Sequence, residues 1–209
     1  STYGNTMGIL SWKHKFSENL NTNLAVFYSD YKFNLGLQQE DFDWNNNIRT
    51  YGLKYGFNHI VTDKFKLNYG IDGQYYNFNP GTVQPTSLDS DFNYKQLDKK
   101  YSLETSAYVD FENQITPKLN LRYGLRYSMF YRLGNETINT YEDGKAVVYN
   151  PLYHIYQEGT PTGTISYGSG EKISSFNNLE PRVALSYAFN DETSVKASYN
   201  RMAQYIHIL

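Results

Sequence analysis

With 209 residues and a formal net charge of −2, the chain is long enough for one domain or part of a larger one, and it offers no electrostatic basis for binding nucleic acid. A mean hydropathy of −0.65 and the lack of any apolar run of about 18 residues exclude transmembrane helices, and zero cysteines exclude disulfides and thiolate metal sites. Neither excludes a membrane β-barrel, where only alternate residues face lipid and aromatics gather at the interfaces; 22 tyrosines and 12 phenylalanines fit that composition. No charged-then-apolar leader precedes Ser1, so the sequence reads as a processed or internal piece.

Residues 7–16 put Leu10, Trp12 and Phe16 on one face and Lys13 and Lys15 on the other, the period of two that marks a strand. Ser17-Glu18-Asn19 supplies a turn, and the next strand covers 20–38. Its apolar phase passes from Leu20, Leu24, Val26 and Tyr28 to Tyr31, Phe33, Leu35 and Leu37, a slip that predicts a bulge near Ser29-Asp30. Residues 39–47 read as a polar loop carrying Trp44. Its acidic run Glu40-Asp41-Phe42-Asp43 lacks the spacing of a calcium loop and reads as solvated charge, so no metal site is assigned.

Strand 48–61 sets Tyr51, Leu53, Tyr55 and Phe57 against Gly52, Lys54, Gly56 and Asn58. After Thr62-Asp63-Lys64, Phe65, Leu67, Tyr69, Ile71 and Tyr75 continue the apolar face opposite Lys66, Asp72 and Gln74, until Pro80-Gly81 ends the hairpin and a polar loop runs to about residue 98. A third hairpin pairs 99–115 with 119–134 across Thr116-Pro117-Lys118. The second of these strands has the longest alternation in the chain: Leu119, Leu121, Tyr123, Leu125, Tyr127, Met129, Tyr131 and Leu133 share one face. At about 3.3 Å per residue and a tilt of about 40°, such a strand rises about 38 Å, enough to cross the apolar band of an outer-membrane barrel.

The longest connection, 135–178, contains Asp143-Gly144 between INTY and AVVY, which predicts a small hairpin, with a second extended pair about Gly168-Ser169-Gly170. Residues 182–189 and 194–209 form a fourth hairpin about Asn190-Asp191-Glu192. The expectation is an all-β, antiparallel set of about eight transmembrane barrel strands in four hairpins. Short and long connections alternate strictly, as in outer-membrane barrels with tight periplasmic turns and long external loops. Loops 39–47, 80–98 and 135–178 are therefore expected outside. Lys54, Lys66, Asp72, Glu104, Asp110, Arg122, Arg126, Arg182 and Lys196 fall on the non-aromatic face and are expected to line a wet lumen, as a neutralised structural ladder or as a substrate-steering track.

Three stretches resemble the barrel of TonB-dependent outer-membrane receptors, closest to the group with a carboxypeptidase-regulatory-like N-terminal domain. They are YGLKYGF with KLNYGIDGQYYNFNPG, LDKKYSLETSAYVDFENQITPKLNLRYGLRYSMFYRLG, and LEPRVALSYAFNDETSVKASYNRMAQYIHIL. Glu180-Pro181-Arg182 and residues 198–207 are the sharpest parts. The resemblance implies a 22-stranded barrel of which this chain supplies about eight strands, a plug domain that this chain does not contain, energy delivered by TonB, a bacterial outer-membrane location, and outer-membrane lipid as the surrounding solvent. RMAQYIHIL lacks the terminal aromatic with which small barrels close, so the chain reads as truncated.

By that resemblance the function is import of a scarce ligand, whether siderophore, haem, oligosaccharide or peptide, with a surface lipoprotein left open as a further partner. Trp44, Tyr141, Tyr149, Tyr153, His154 and Tyr156 are the candidate ligand contacts, because aromatic and imidazole groups on long loops can grip a chelate, glycan or peptide; packing of loop on loop is the competing reading. The alternative function is a self-contained eight-stranded barrel with a structural or adhesive role. No nucleophile and base can be placed together, His14, His59, His154 and His207 being far apart in sequence, so neither enzymatic activity nor a cofactor is expected.

Overall fold

The computed structural model describes residues 1–37, 42–88, 90–91 and 93–205. Glu40, Asp41 and His207 lie outside the described residues. The strands are β1 (Thr2–Ser17), β2 (Leu20–Leu37), β3 (Phe42–Thr62), β4 (Phe65–Pro85), β5 (Lys95–Gln96), β6 (Lys100–Thr116), β7 (Leu119–Leu133), β8 (Glu136–Tyr141), β9 (Val147–Asn150), β10 (Ile155–Glu158), β11 (Pro161–Tyr167), β12 (Lys172–Ala188) and β13 (Ser194–Asn200). One antiparallel wall runs β1-β2-β3-β4-β6-β7-β12-β13, with β5 added beside the end of β4. These eight main strands are the four expected hairpins. They form an open wall: β1 and β13 do not pair, so the self-contained eight-stranded barrel is not formed.

Each tight connection is closed by a side-chain oxygen on its first residue. Asn19 N donates to Ser17 Oγ at 3.3 Å, Lys64 N to Thr62 Oγ1 at 3.3 Å, Lys118 N to Thr116 Oγ1 at 3.2 Å, and Glu192 N to Asn190 Oδ1 at 3.0 Å. A short hydroxyl or amide side chain satisfies a turn N–H that the ladder cannot reach, which is why these residue types recur at all four places. All four turns lie at one end of the wall. The ends of β2, β4 and β7 that lead into the long connections lie at the other.

The wall is inside out with respect to a water-soluble protein. Among the described residues no hydrophobic side chain is buried; the buried polar and charged ones are Thr22, Asp30, Ser106, Ser128 and Glu180. Val26, Leu53, Ile71, Leu125, Tyr127 and Leu179 are 39–52% exposed on one face, which is unfavourable against water and suits hydrocarbon. Aromatic rows bound this band. Near the long connections, Tyr28, Tyr51, Tyr75 and Tyr101 follow one another across β2, β3, β4 and β6 with ring centroids 5.2, 6.4 and 6.4 Å apart. Near the tight turns lie Phe57 on Tyr69 at 5.1 Å, Phe65 on Phe111 at 6.0 Å, and Phe111 on Tyr123 at 4.9 Å. The rows stand six to ten residues apart along the strands, which at about 3.3 Å rise and about 40° tilt gives about 15–25 Å of apolar height.

No bulge occurs at Ser29-Asp30. The register of β2 with β1 and β3 is unbroken through both residues, and the irregularities lie at the wall's rims, at Lys15/Ser17, Ile60/Thr62, Gln114/Thr116, Asn45/Asn47 and Lys172/Ser174. A mid-wall bulge would leave a backbone group unpaired in hydrocarbon, whereas water satisfies it at a rim. What changes after Tyr28 is the solvent. The outward face turns polar at Asp30, Lys32 and Asn34, and the opposite face turns apolar at Tyr31, Phe33 and Leu35.

Four further expectations are corrected. Pro80-Gly81 does not end its hairpin: β4 continues to Pro85, paired with β3 from Phe42, so Trp44 sits in a strand and loops 39–47 and 80–98 are shorter than expected. Asp143-Gly144 lies in a 3-10 turn instead of a hairpin; β8 pairs with β11, and β9 with β10 nested inside it. Gly168-Ser169-Gly170 joins strands of different sheets, because β11 pairs with β8 and β12 with β7. The last strand stops at Asn200 instead of running to residue 209.

Candidate functional site

All nine charged residues expected in the lumen occur on one face of the wall. Cross-strand pairing sets Lys54 opposite Asp72, Lys66 opposite Glu112, Glu112 opposite Arg122, Asp110 opposite Gly124, and Arg126 opposite Glu180, while Glu104 and Lys196 keep the same parity. Asp72 accepts from Arg126 Nη2 at 2.9 Å and from Ser106 Oγ at 2.8 Å. Arg182 grips Asp110 with two donors, its Nε at 2.5 Å, and Arg122 Nη2 lies 2.8 Å from Glu112. Three carboxylates thus meet three guanidinium groups, so most of the charge on this face is neutralised locally.

Glycines on this face make room for rings. Phe27 lies over Gly52, where an added Cβ would stand 2.0 Å from the ring, and the Tyr108 hydroxyl lies over Gly56 and Gly70. Ser128, which sequence reasoning missed, is the centre of a buried polar cluster. It donates to Glu180 Oε1 at 2.5 Å and shares a 2.7 Å hydrogen bond with Tyr205 Oη, which also accepts from Asn178 Nδ2 at 3.0 Å. Tyr205 stacks on Phe130 at 5.3 Å, so residues 201–205 continue beyond β13 and lean across the polar face toward β7. No local pattern marks this crossing.

At the long-connection end the same face becomes aromatic. Cross-strand pairing sets Tyr31 opposite Ile48 and Ile48 opposite Phe78, and Leu35 opposite Trp44 and Trp44 opposite Val83. Trp44 Nε1 donates to the Pro80 carbonyl at 3.1 Å, and its ring covers Gly81, whose φ of +141° favours glycine. A Cβ at Gly81 would meet Trp44 Nε1 at 1.7 Å. Gly81→Ala in the full-length receptor, read against the same change in a Trp44→Phe background, is therefore expected to expel Trp44 into water. The readout is a red shift of its emission with a loss of about 1–3 kcal/mol in unfolding free energy; unchanged emission counts against the packing.

The other sequence candidates divide. Tyr149, His154 and Tyr156 come together on the β9–β10 hairpin: Tyr149 Oη lies 3.0 Å from His154 Nδ1, and its ring 5.2 Å from that of Tyr156. Asn150 Oδ1 accepts from Leu152 N at 3.0 Å and fixes the tip, which also carries exposed Tyr153. Tyr141 lies at the end of β8, beside Gly159, and Trp44 belongs to another strand.

Between wall and hairpin, Glu136 accepts from Lys100 and from Arg132 Nη2, the latter at 2.7 Å. Burial pushes its pKa up, but the hydrogen bonds and charges of Lys100 and Arg132 outweigh that and hold it below the usual carboxylate range. A depressed folded pKa gives stability that is complete above the unfolded value, about 4.3, and is lost as pH falls through the folded one. Protease nicking within 135–171 is thus expected to rise in acid below about pH 4 in the native protein, and to lose that pH dependence in Glu136→Gln. An identical acid profile in the variant counts against the network.

Residues 1–202 match the family profile described as TonB dependent receptor-like, beta-barrel. No curated protein sequence matches the chain. Among solved structures it is similar to the FrpB iron transporter from Neisseria meningitidis (F3-3 variant), at 16% identity and a TM-score of 0.57, over 94% of this chain and 27% of that one. A double mutant of the Serratia marcescens hemophore receptor HasR, in complex with its hemophore HasA and heme, gives 13% identity and 0.60 over 95% and 30%. The copper transporter OprC gives 13% and 0.61 over 95% and 31%. Identities this low establish the fold, and this chain spans well under half the length of those receptors. The apolar band, the aromatic rows, the sorted connections and the profile match agree: the chain belongs to the TonB-dependent receptor β-barrel family, whose members are outer-membrane proteins.

Proposed function

We propose that this chain is a wall segment of an importer that takes a scarce ligand at the cell exterior and moves it inward with energy delivered by TonB. The observation that carries the reading is the change of face character after Tyr28. Below it, the inner face is a neutralised ionic ladder fit to contact a plug domain. Above it, Tyr31, Trp44 and Phe78 make the inner face apolar, at the end of the wall from which the aromatic β9–β10 hairpin also rises. The tight turns then face the periplasm, and the opposite end of the wall, with the connection 134–171, faces the exterior. Ladder residues Lys54, Lys66, Glu104 and Lys196, outside the ion pairs among the described residues, are the groups free to meet the plug. Siderophore, haem, oligosaccharide and peptide all suit aromatic contacts.

The test uses the full-length receptor in cells lacking other receptors of its kind, with ferric citrate, haemin and maltoheptaose as probes. Uptake of one probe is expected, abolished by a protonophore, and Tyr149→Ala with Tyr156→Ala is expected to weaken binding of that probe about tenfold or more, as for loss of two aromatic contacts. Uptake that survives the protonophore, or binding untouched by the double variant, overturns the transport or the contact assignment respectively.

A further inference from the structure

Immediately beyond the tyrosine row, the outward face of β1–β4 carries a polar surface that neither the inner wall nor the loops use. Asp30, with 9% of its side chain exposed, stands at its centre, accepting from Asn47 Nδ2 at 3.1 Å and lying 3.5 Å from Arg49 Nε and 3.7 Å from Lys32 Nζ. Both cationic contacts are loose. With 45% and 66% of their side chains exposed, Arg49 and Lys32 remain accessible from outside, and two cations meet one carboxylate. Beside them runs an asparagine row: Asn34 Nδ2 donates to Asn45 Oδ1 at 2.6 Å, and Asn79 Nδ2 to Asn47 Oδ1 at 3.3 Å. Gly4 leaves the floor open, and the result is a depression of about 450 Å³.

We propose that this depression binds the phosphorylated sugar headgroup of an outer-leaflet lipid, with Lys32 and Arg49 on the phosphate and the asparagine amides on sugar hydroxyls. Place and chemistry agree. The tyrosines Tyr28, Tyr51 and Tyr75 mark where acyl chains end, and Val26, Leu53 and Ile71 below them offer the chains an apolar bed. Guanidinium and ammonium donors fit phosphate oxygens, and paired amides held by neighbours cost little to order. The assignment rests on the reading that the long connections face the exterior.

The test is native mass spectrometry of the full-length receptor in detergent with bisphosphorylated lipid A, dephosphorylated lipid A and inorganic phosphate. The wild type is expected to retain one bisphosphorylated lipid. Lys32→Gln with Arg49→Gln is expected to retain about thirtyfold less, the change for two surface cations, while Lys54→Gln with Lys66→Gln on the inner face retains it fully. Heat-modifiable migration in gels verifies that each variant is folded. Equal retention by the two double variants, equal retention of dephosphorylated lipid, or displacement by millimolar phosphate overturns the site. Orientation is read separately, from labelling of Tyr153→Cys on intact cells with an impermeant maleimide. Labelling without a lipid adduct overturns the headgroup site alone, and absence of labelling overturns the orientation.

Discussion

Tyr127→Arg is expected to lower assembly into lipid bilayers by about thirty- to several-hundred-fold, whereas Arg122→Gln on the same strand changes it by less than about threefold. Tyr127 is 41% exposed in the middle of β7, paired with Ala107 and Leu179 on the face between the aromatic rows. A cation there loses its hydration, at a cost of about 2–4 kcal/mol near the midplane, and every 1.4 kcal/mol is about tenfold. Arg122 lies on the opposite face, its side chain 66% exposed, and its pair with Glu112 is of the exposed kind that contributes about 0–1 kcal/mol. The measurement is the folded fraction of full-length receptor in liposomes, read by heat-modifiable migration. Equal yields from the two variants would sink the lipid-facing assignment of the tyrosine and leucine face.

Arg126→Ala is expected to destabilise the folded receptor by about 2–3 kcal/mol, and adding Asp72→Asn to restore most of it. Asp72 has 9% of its side chain exposed and Arg126 30%, so removing the guanidinium strands a carboxylate that, among the described residues, Ser106 alone then serves, with Glu180 next to the gap. Partial access to water puts the loss below the range for a fully buried pair. Neutralising the acid as well leaves an amide that still accepts from Ser106 and has no charge to solvate. Urea titration of the two single variants and the double variant gives the coupling. Strictly additive losses would mean that the 2.9 Å contact contributes no coupling energy.

How much of this was legible in the sequence depended on how local the cause was. The alternation in β3, β4, β6 and β7 is a property of each strand alone, and the tight turns at Ser17, Thr62, Thr116 and Asn190 carry their own acceptors, so both could be read directly. The phase change at Ser29-Asp30 was visible but has two physical causes, an inserted residue or a change of solvent, and sequence does not separate them; the unbroken ladders on both sides of β2 do. The nested pairing of β8 with β11 joins residues 20 to 31 apart, so the Asp143-Gly144 signal, a purely local one, named the wrong partner. The grouping of Tyr149, His154 and Tyr156 followed from their closeness along the chain. The cluster of Ser128, Asn178, Glu180 and Tyr205 needs the stretch after Asn200 to lean across the polar face, which no period encodes.

The open wall has a consequence for how the polypeptide can be handled. The outer margins of β1 and β13 present N–H and C=O groups with no partner strand among the described residues, and hydrocarbon tolerates no such row, each unmet group costing several kcal/mol there. In water the same margins are templates for other chains, next to an apolar surface that no core absorbs. Produced by itself, this stretch should zip onto copies of itself at either seam before it could insert, and it becomes a monomeric membrane body only when further strands of the receptor occupy both seams.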